Sequence, residues 1–263
     1  MTVGVTTSVY DSGLVDELHG AFAADHAVDV RAFAAGTGEV LAAGRRGDVD
    51  ALMAHAPSLE REFIEAGHGV DRRQFATSDF VVAGPPSDPA GIAECDTAVE
   101  AFRAIAAAGA TFCSRGDTSG THLAERDRWA AAGVEPSGEW YLETGQGMGA
   151  TLIQADQQGA YLLTVRGNLL AMAADLSLHA YVEGPIGGGD PALENTYSAM
   201  VVNPERHAVA AEWARAYVEF LTGEDGQRRI EAFTVGGEQV FHPIEAAPSV
   251  ADEAEPPSNG PTG

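Results

Sequence analysis

At 263 residues, 45% of them hydrophobic, the chain is long enough for two lobes of ordinary domain size, each with its own core. Asp and Glu number 39 against 15 basic residues, all of them Arg, and the formal net charge of −24 excludes nucleic acid and anionic membranes as partners, because both need clustered cations. Heavy acidity without one Lys suggests adaptation to high salt, where a Debye length of about 3 Å at about 1 M leaves only contact electrostatics.

In chain order, Val3 to Thr6 reads as a strand, Asp11 to Ala24 as a helix, and Val28 to Ala34 as a second strand. Gly36-Thr37-Gly38 then opens a helix through Gly44, followed by a buried strand at Ala51 to Ala54, a helix at Ser58 to Ala66 and a strand at Phe80 to Ala83. This alternation predicts an α/β fold with mainly parallel sheets flanked by helices. Gly84-Pro85-Pro86-Ser87-Asp88-Pro89 breaks the rhythm and marks passage to a second lobe. That lobe is expected to hold helices at Asp96 to Ala108, Thr121 to Ala132, Gly147 to Gln157 and Thr164 to Ala174, with strands at Thr111 to Cys113 and His179 to Glu183. After the glycine-rich return at Gly187 to Pro191, Ser198 to Val202 rejoins the first lobe, followed by helices at Pro204 to Leu221 and Gly226 to Phe233. The expected division is therefore 1–84 with 192–245 as lobe 1, 85–191 as lobe 2, and 246–263 as a disordered acidic, proline-rich tail.

No run of about 20 apolar residues is present to span a bilayer. Met1 to Val5 leads directly into a strand without a charged and apolar leader, so the protein is expected either to be cytoplasmic or to be exported by a segment outside this sequence. Cys95 and Cys113 allow a single bridge at most and are expected as two free, partly buried thiols.

The chemistry concentrates in Ser114-Arg115-Gly116-Asp117-Thr118-Ser119-Gly120-Thr121, which precedes a helix. First-turn N–H groups without intrahelical partners, a favourable helix dipole and a guanidinium together make a pocket for a small inorganic dianion. Thr6-Thr7-Ser8 stands at another strand-to-helix turn, where its hydroxyls serve either as a helix cap or as donors to the same guest. Gly36-Thr37-Gly38 is either a plain turn or a third donor set, and Thr144-Gly145-Gln146-Gly147-Met148-Gly149 offers the same choice. His55 and His122 lie beside these turns and read either as structural groups or as donors. The other histidines lack the spacing of a metal site, so no bound metal cation and no cofactor are expected. Neither a Gly-x-Ser-x-Gly elbow nor a lysine phosphate loop occurs, and the chain is read as a non-enzyme.

Taken together in order, Thr6-Thr7-Ser8 with Tyr10-Asp11-Ser12-Gly13-Leu14, Gly36-Thr37-Gly38, Ser114 to His122 and Trp140 to Gly149 resemble the tungstate-binding proteins of the TupA type over residues 2 to 243. That resemblance implies a two-lobed type II periplasmic-binding-protein fold with the ligand in the cleft. It also implies capture of tungstate, with molybdate as an alternative, for delivery to the membrane permease of an ABC importer, by a monomer exported to or anchored at the cell surface. Carried over residue by residue, Thr7 and Ser8 donate from lobe 1, and Arg115, Ser119, Gly120 and Thr121 from lobe 2. Thr37, Gly38, Thr144, Gly145, Met148 and Gly149 line the cleft.

Protonation then governs selection. Tungstate and molybdate are deprotonated at neutral pH and need donors alone, whereas hydrogen phosphate needs an acceptor, for which Asp117 is the nearby candidate unless it holds Arg115 in place. Two other functions fit the same anion-binding residues: a cytoplasmic oxyanion sensor, and an enzyme gripping a phosphorylated metabolite through Arg115.

Overall fold

The computed structural model describes residues 1–244; the tail expected at 246–263 lies outside the described residues. In chain order the first elements are β1 (Thr2–Thr6), α1 (Thr7–Tyr10), α2 (Leu14–His26), β2 (Arg31–Ala35), α3 (Thr37–Arg46), β3 (Ala51–Ala54), α4 (Pro57–Glu65) and β4 (Gly69–Gly84). There follow α5 (Ala98–Ala108), β5 (Phe112–Ser114), α6 (Gly120–Ala132), β6 (Tyr141–Glu143), α7 (Met148–Gln158), β7 (Leu162–Val165), α8 (Arg166–Ala171) and β8 (His179–Glu183). The chain then runs through β9 (Glu194–Val202), α9 (Ala211–Thr222) and α10 (Glu224–Ala232) to three two-residue strands, β10 (Thr234–Val235), β11 (Glu238–Gln239) and β12 (His242–Pro243).

The α/β, two-lobed class stands, and the sheets are mixed. β1 runs parallel to β2 and β3, and β5 parallel to β6, while every ladder of β4 and β9 is antiparallel. The central sheet has the order β12-β4-β9-β3-β1-β2, and β7 and β8 join it through β4. β1 is short, β-branched and fully buried at Val3 and Val5, the pattern of a strand covered on both faces.

β4 explains how two bodies share one sheet. Its first part pairs with β9 from Gly69 to Asp79, and its last residues, Phe80 to Gly84, pair with β7 and β8. The cores change with it. Phe75, Ala76, Tyr197 and Tyr217 pack with Val3, Val5 and Phe22, whereas Phe80, Val82 and Leu193 pack with Phe102, Phe112 and Trp129. At the changeover Asp79, fully buried, accepts from Arg166 Nε at 2.8 Å and Nη2 at 2.7 Å, and Arg166 Nη1 also reaches Glu183 at 2.7 Å. A bidentate guanidinium pair in a dry setting fixes the angle between β4, α8 and β8.

The structure differs from expectation at several elements. β4 extends eleven residues before the predicted strand at Phe80, because Asp71, Arg72, Arg73 and Gln74 break the apolar signal and two bulges interrupt its period-2 alternation. The stretch read as a helix from Thr164 is strand until Val165; four consecutive buried residues, two of them β-branched, favour a strand covered on both faces. The helix predicted from Asp11 begins at Leu14 after Gly13 at φ 85°, and an unpredicted short helix, α1, precedes it. The one predicted from Pro204 begins at Ala211. Cys95 and Cys113 are free, and burial pushes the Cys113 thiol up to about 11.

Candidate functional site

Three strand-to-helix turns carry the predicted residues. β1 hands over to α1 at Thr7, β2 to α3 at Thr37 with Gly36 as the cap residue, and β5 leads through the arginine loop to α6 at Gly120. Ser119 caps α6, its Oγ accepting from His122 N–H at 3.1 Å, which leaves the hydroxyl proton free to donate elsewhere. Gly116, at φ 60°, is required where it stands, since a Cβ there would meet Glu143 Cβ at 2.7 Å.

Ser8, Thr37, Arg115, Ser119 and Thr121 are all buried, with exposures between 0% and 4%. Contacts bring the two lobes together here. Gly120 N–H donates to Thr37 Oγ1 at 3.0 Å, Gly38 packs against Thr118, and Gly120 packs against the carbonyl and ring of His55. Gly120 thus spends its N–H across the cleft rather than on a guest, and Thr37 keeps its own hydroxyl proton available.

Arg115 is held by its own loop. Its Nη2 donates to Asp117 Oδ2 at 2.5 Å while Ser119 N–H donates to Asp117 Oδ1 at 3.0 Å, so both carboxylate oxygens are occupied. Burial works against the Asp117 charge, yet the hydrogen bonds from Ser119 and the Arg115 guanidinium hold its carboxyl below the usual range. Asp117 therefore positions Arg115. Arg115 Nε and Thr121 Oγ1 are buried with no hydrogen-bond partner among the described residues, and a buried unpaired donor is costly unless a ligand satisfies it. Asp11 stands near enough to feel Arg115, and burial nevertheless raises its carboxyl.

Thr144 and Gly145 brace this loop from behind: their N–H groups donate to the carbonyls of Ser114 and Arg115, each at 2.9 Å. Met148 fills the core with Cys113 and Leu162, and Gly149 lies against Met172, so these two share the neighbouring helix start rather than the cross-cleft contacts. Thr7 is half-buried at the start of α1, and its carbonyl accepts from Asp11 N–H at 2.7 Å. His122 turns away to Ser114 Oγ at 3.1 Å.

His55 is the residue whose role expands. Its Nε2 lies 2.6 Å from Ser8 Oγ and its Nδ1 2.9 Å from Asn195 Oδ1, and Asn195 Nδ2 donates to Tyr197 Oη at 2.9 Å and Ser78 Oγ at 3.1 Å. Burial lowers His55 to about 4, against the hydrogen bond it donates to Asn195 and together with the Arg115 charge. Asn195, Ser78 and Tyr197 were not legible as site residues. The usable clue was their strand periodicity: Asn195 and Tyr197 are two apart on β9, and Ser78 is the cross-strand partner of Asn195.

Comparison with known proteins places this geometry. The PBP superfamily domain model matches residues 2–225. The Tungstate-binding protein TupA of Peptoclostridium acidaminophilum is 37% identical over 87% of this chain and 79% of its own length. A Haloferax volcanii protein, provisionally named an ABC transporter anion-binding protein, is 47% identical over 92% of this chain and 71% of its own. The crystal structure titled as the tungstate ABC transporter from Geobacter sulfurreducens is 42% identical, covering 89% of this chain and 98% of that one at a TM-score of 0.82. With the fold, the arginine loop and these relatives in agreement, the chain belongs to the periplasmic-binding-protein superfamily and, within it, to the TupA family.

Proposed function

We propose that the protein captures tungstate, and molybdate as second choice, in the cleft between residues 1–84 with 192–245 on one side and 85–191 on the other. It then delivers the anion unchanged, as an exported monomer needing no cofactor, to the permease of an ABC importer. The observation that carries this reading is the pair of buried donors, Arg115 Nε and Thr121 Oγ1, that have no partner among the described residues, beside a loop whose single carboxylate is engaged by Arg115 and Ser119. Such buried hydrogens without partners suit a fully deprotonated tetrahedral dianion. The hydroxyls of Ser8, Thr37 and Ser119 complete the donor set from both lobes. The names of the relatives support the same cargo.

Charge-assisted hydrogen bonds contribute about 1.5–3 kcal/mol each, so about six to eight reach the ~12 kcal/mol of nanomolar affinity after ordering and desolvation costs. Acidic surface charge does not oppose this in high salt, because distant carboxylates are screened. Calorimetric titration in high salt is expected to give tungstate at least about tenfold tighter than sulfate, a difference of ~1.4 kcal/mol. Sulfate is the smaller dianion, and size is what separates the two. Equal affinities for the two would overturn the tungstate assignment.

A further inference from the structure

Ser8 has one proton and two claims upon it. Asn195 points Oδ1 at His55 Nδ1 while its Nδ2 serves Tyr197 and Ser78, so His55 Nδ1 carries hydrogen and, in the neutral ring, Nε2 is an acceptor. The Ser8 hydroxyl 2.6 Å away then donates to Nε2, with Thr6 Oγ1 a more distant neighbour at 3.4 Å. A deprotonated oxyanion meeting Ser8 in that state would find only oxygen lone pairs. We propose that tungstate binding loads a proton from solvent onto His55 Nε2, so that Ser8 now accepts from His55 and donates its own hydrogen to the guest. This rests on the oxyanion reading given above and makes His55 a positioning residue that sets the direction of the Ser8 hydrogen bond.

The electrostatics of the surroundings call for that proton. Arg115 is already matched by Asp117, Asp79 by Arg166 and Glu60 by Arg72, so a dianion enters a site whose formal charges are close to balanced. Tyr197 stacks on His55 at 5.1 Å and Phe80 lies 6.2 Å away, which leaves Ser8 and Asn195 as the polar groups the structure places on its ring. A cavity of about 160 Å³ borders His55, Gly120 and Asn195, and the charges on its wall, Asp127, Arg128 and Glu194, are two acids to one base. Asp11, His122, Glu143, Tyr141 and Glu125 are further titratable groups close to the arginine loop. The cavity holds room for several waters and gives the proton a way in. Ring burial keeps His55 neutral in the free protein, and a dianion one hydroxyl away, in a medium far less screening than water, reverses that preference. The same switch sets the role that Ser8 plays toward a guest. Neutral His55 turns Ser8 into an acceptor, which fits an anion bringing its own hydrogen, and protonated His55 completes an all-donor site.

The test is calorimetric titration of tungstate in buffers of different ionisation enthalpy, joined to ring-nitrogen NMR of His55 with and without tungstate. The expected result is uptake of about one proton per tungstate near neutral pH, with affinity falling roughly tenfold per pH unit between the free-state and bound-state pKa values of His55 and levelling off above the latter, and a ring that is neutral free and doubly protonated in the complex. In His55→Gln, and independently in Asn195→Asp, whose carboxylate would keep the ring protonated beforehand, uptake is expected to fall to near zero. Binding heat without proton uptake, a His55 ring still neutral in the complex, or uptake that survives His55→Gln and disappears in Asp11→Asn or His122→Gln would each overturn the proposal while leaving the cargo assignment standing. Absence of any tungstate binding by the unmodified protein would overturn both.

Discussion

Replacing Arg115 with alanine is expected to weaken tungstate binding by about 3–5 kcal/mol, roughly 150- to 4,000-fold in Kd, with little change in thermal stability. The guanidinium is 4% exposed, and its Nε has no partner among the described residues. Its loss removes the formal positive charge from the loop and leaves the Asp117 carboxylate, 25% exposed, facing an incoming dianion. Stability changes little because Asp117 retains the Ser119 N–H at 3.0 Å and the loop keeps its Thr144 and Gly145 braces. Arg115→Lys should recover only part of the loss, since an ammonium supplies charge without the planar fork that serves Asp117 and a guest together. Titration calorimetry on variants of unchanged circular dichroism decides the matter. A Kd within threefold of the unmodified protein would place the anion elsewhere.

Gly120→Ala is the second large effect, and it works through distance alone. A Cβ at this position would lie 2.8 Å from the His55 carbonyl and 2.9 Å from its ring atoms Cε1 and Nε2. The carbonyl belongs to the backbone following β3 and cannot rotate away, so α6 must retreat and the Gly120–Thr37 hydrogen bond across the cleft must lengthen from 3.0 Å. Overpacking of this kind costs about 1–3 kcal/mol, which here falls on the closed arrangement and not on either lobe's core. Tungstate affinity is expected to drop roughly ten- to a hundredfold, while the melting temperature without ligand holds or rises, alanine being the better helix former. Small-angle scattering with tungstate present should show a larger radius of gyration than for the unmodified protein. Unaltered affinity and radius would mean that the lobes do not close on this contact.

What the chain discloses before folding follows from how local each cause is. Strand-to-helix turns announce themselves through glycines, hydroxyls and an arginine at short spacing, so Ser8, Thr37 and the loop from Ser114 to Thr121 could be read together, and the structure brings them into one buried region. The filled role of Asp117 was one of two readings open in the sequence, and the short bond to Arg115 settles the geometry. Thr144 and Gly145 show the limit of motif reading. Exposed N–H groups at a glycine turn suit an anion equally well whether they face the cleft or, as here, the carbonyls of Ser114 and Arg115. Gly120 shows another: its N–H points where a donor was expected and is taken by Thr37, 83 residues earlier in the chain.

Long-range pairings were beyond reach for a different reason. β4 carries arginines and aspartates through its first half because β9 and the bulges, not its own apolar content, hold it in the sheet. The His55–Asn195 bond joins residues 140 positions apart, and no periodicity in either segment points to the other. The hydrogen-bond chain from Ser8 to Tyr197 is thus a property of the assembled sheet, and it lies where the notable polar burial of the site is found.

The most direct measurement is a crystal structure of the tungstate-soaked protein with data collected at the tungsten absorption edge. A single anomalous peak is expected between the α1 start at Ser8, the α3 start at Thr37 and the loop from Arg115 to Thr121, with Arg115 Nε and Thr121 Oγ1 within hydrogen-bond distance of its oxygens. A tungsten peak at any other place, with those two donors still unpartnered, would contradict the account.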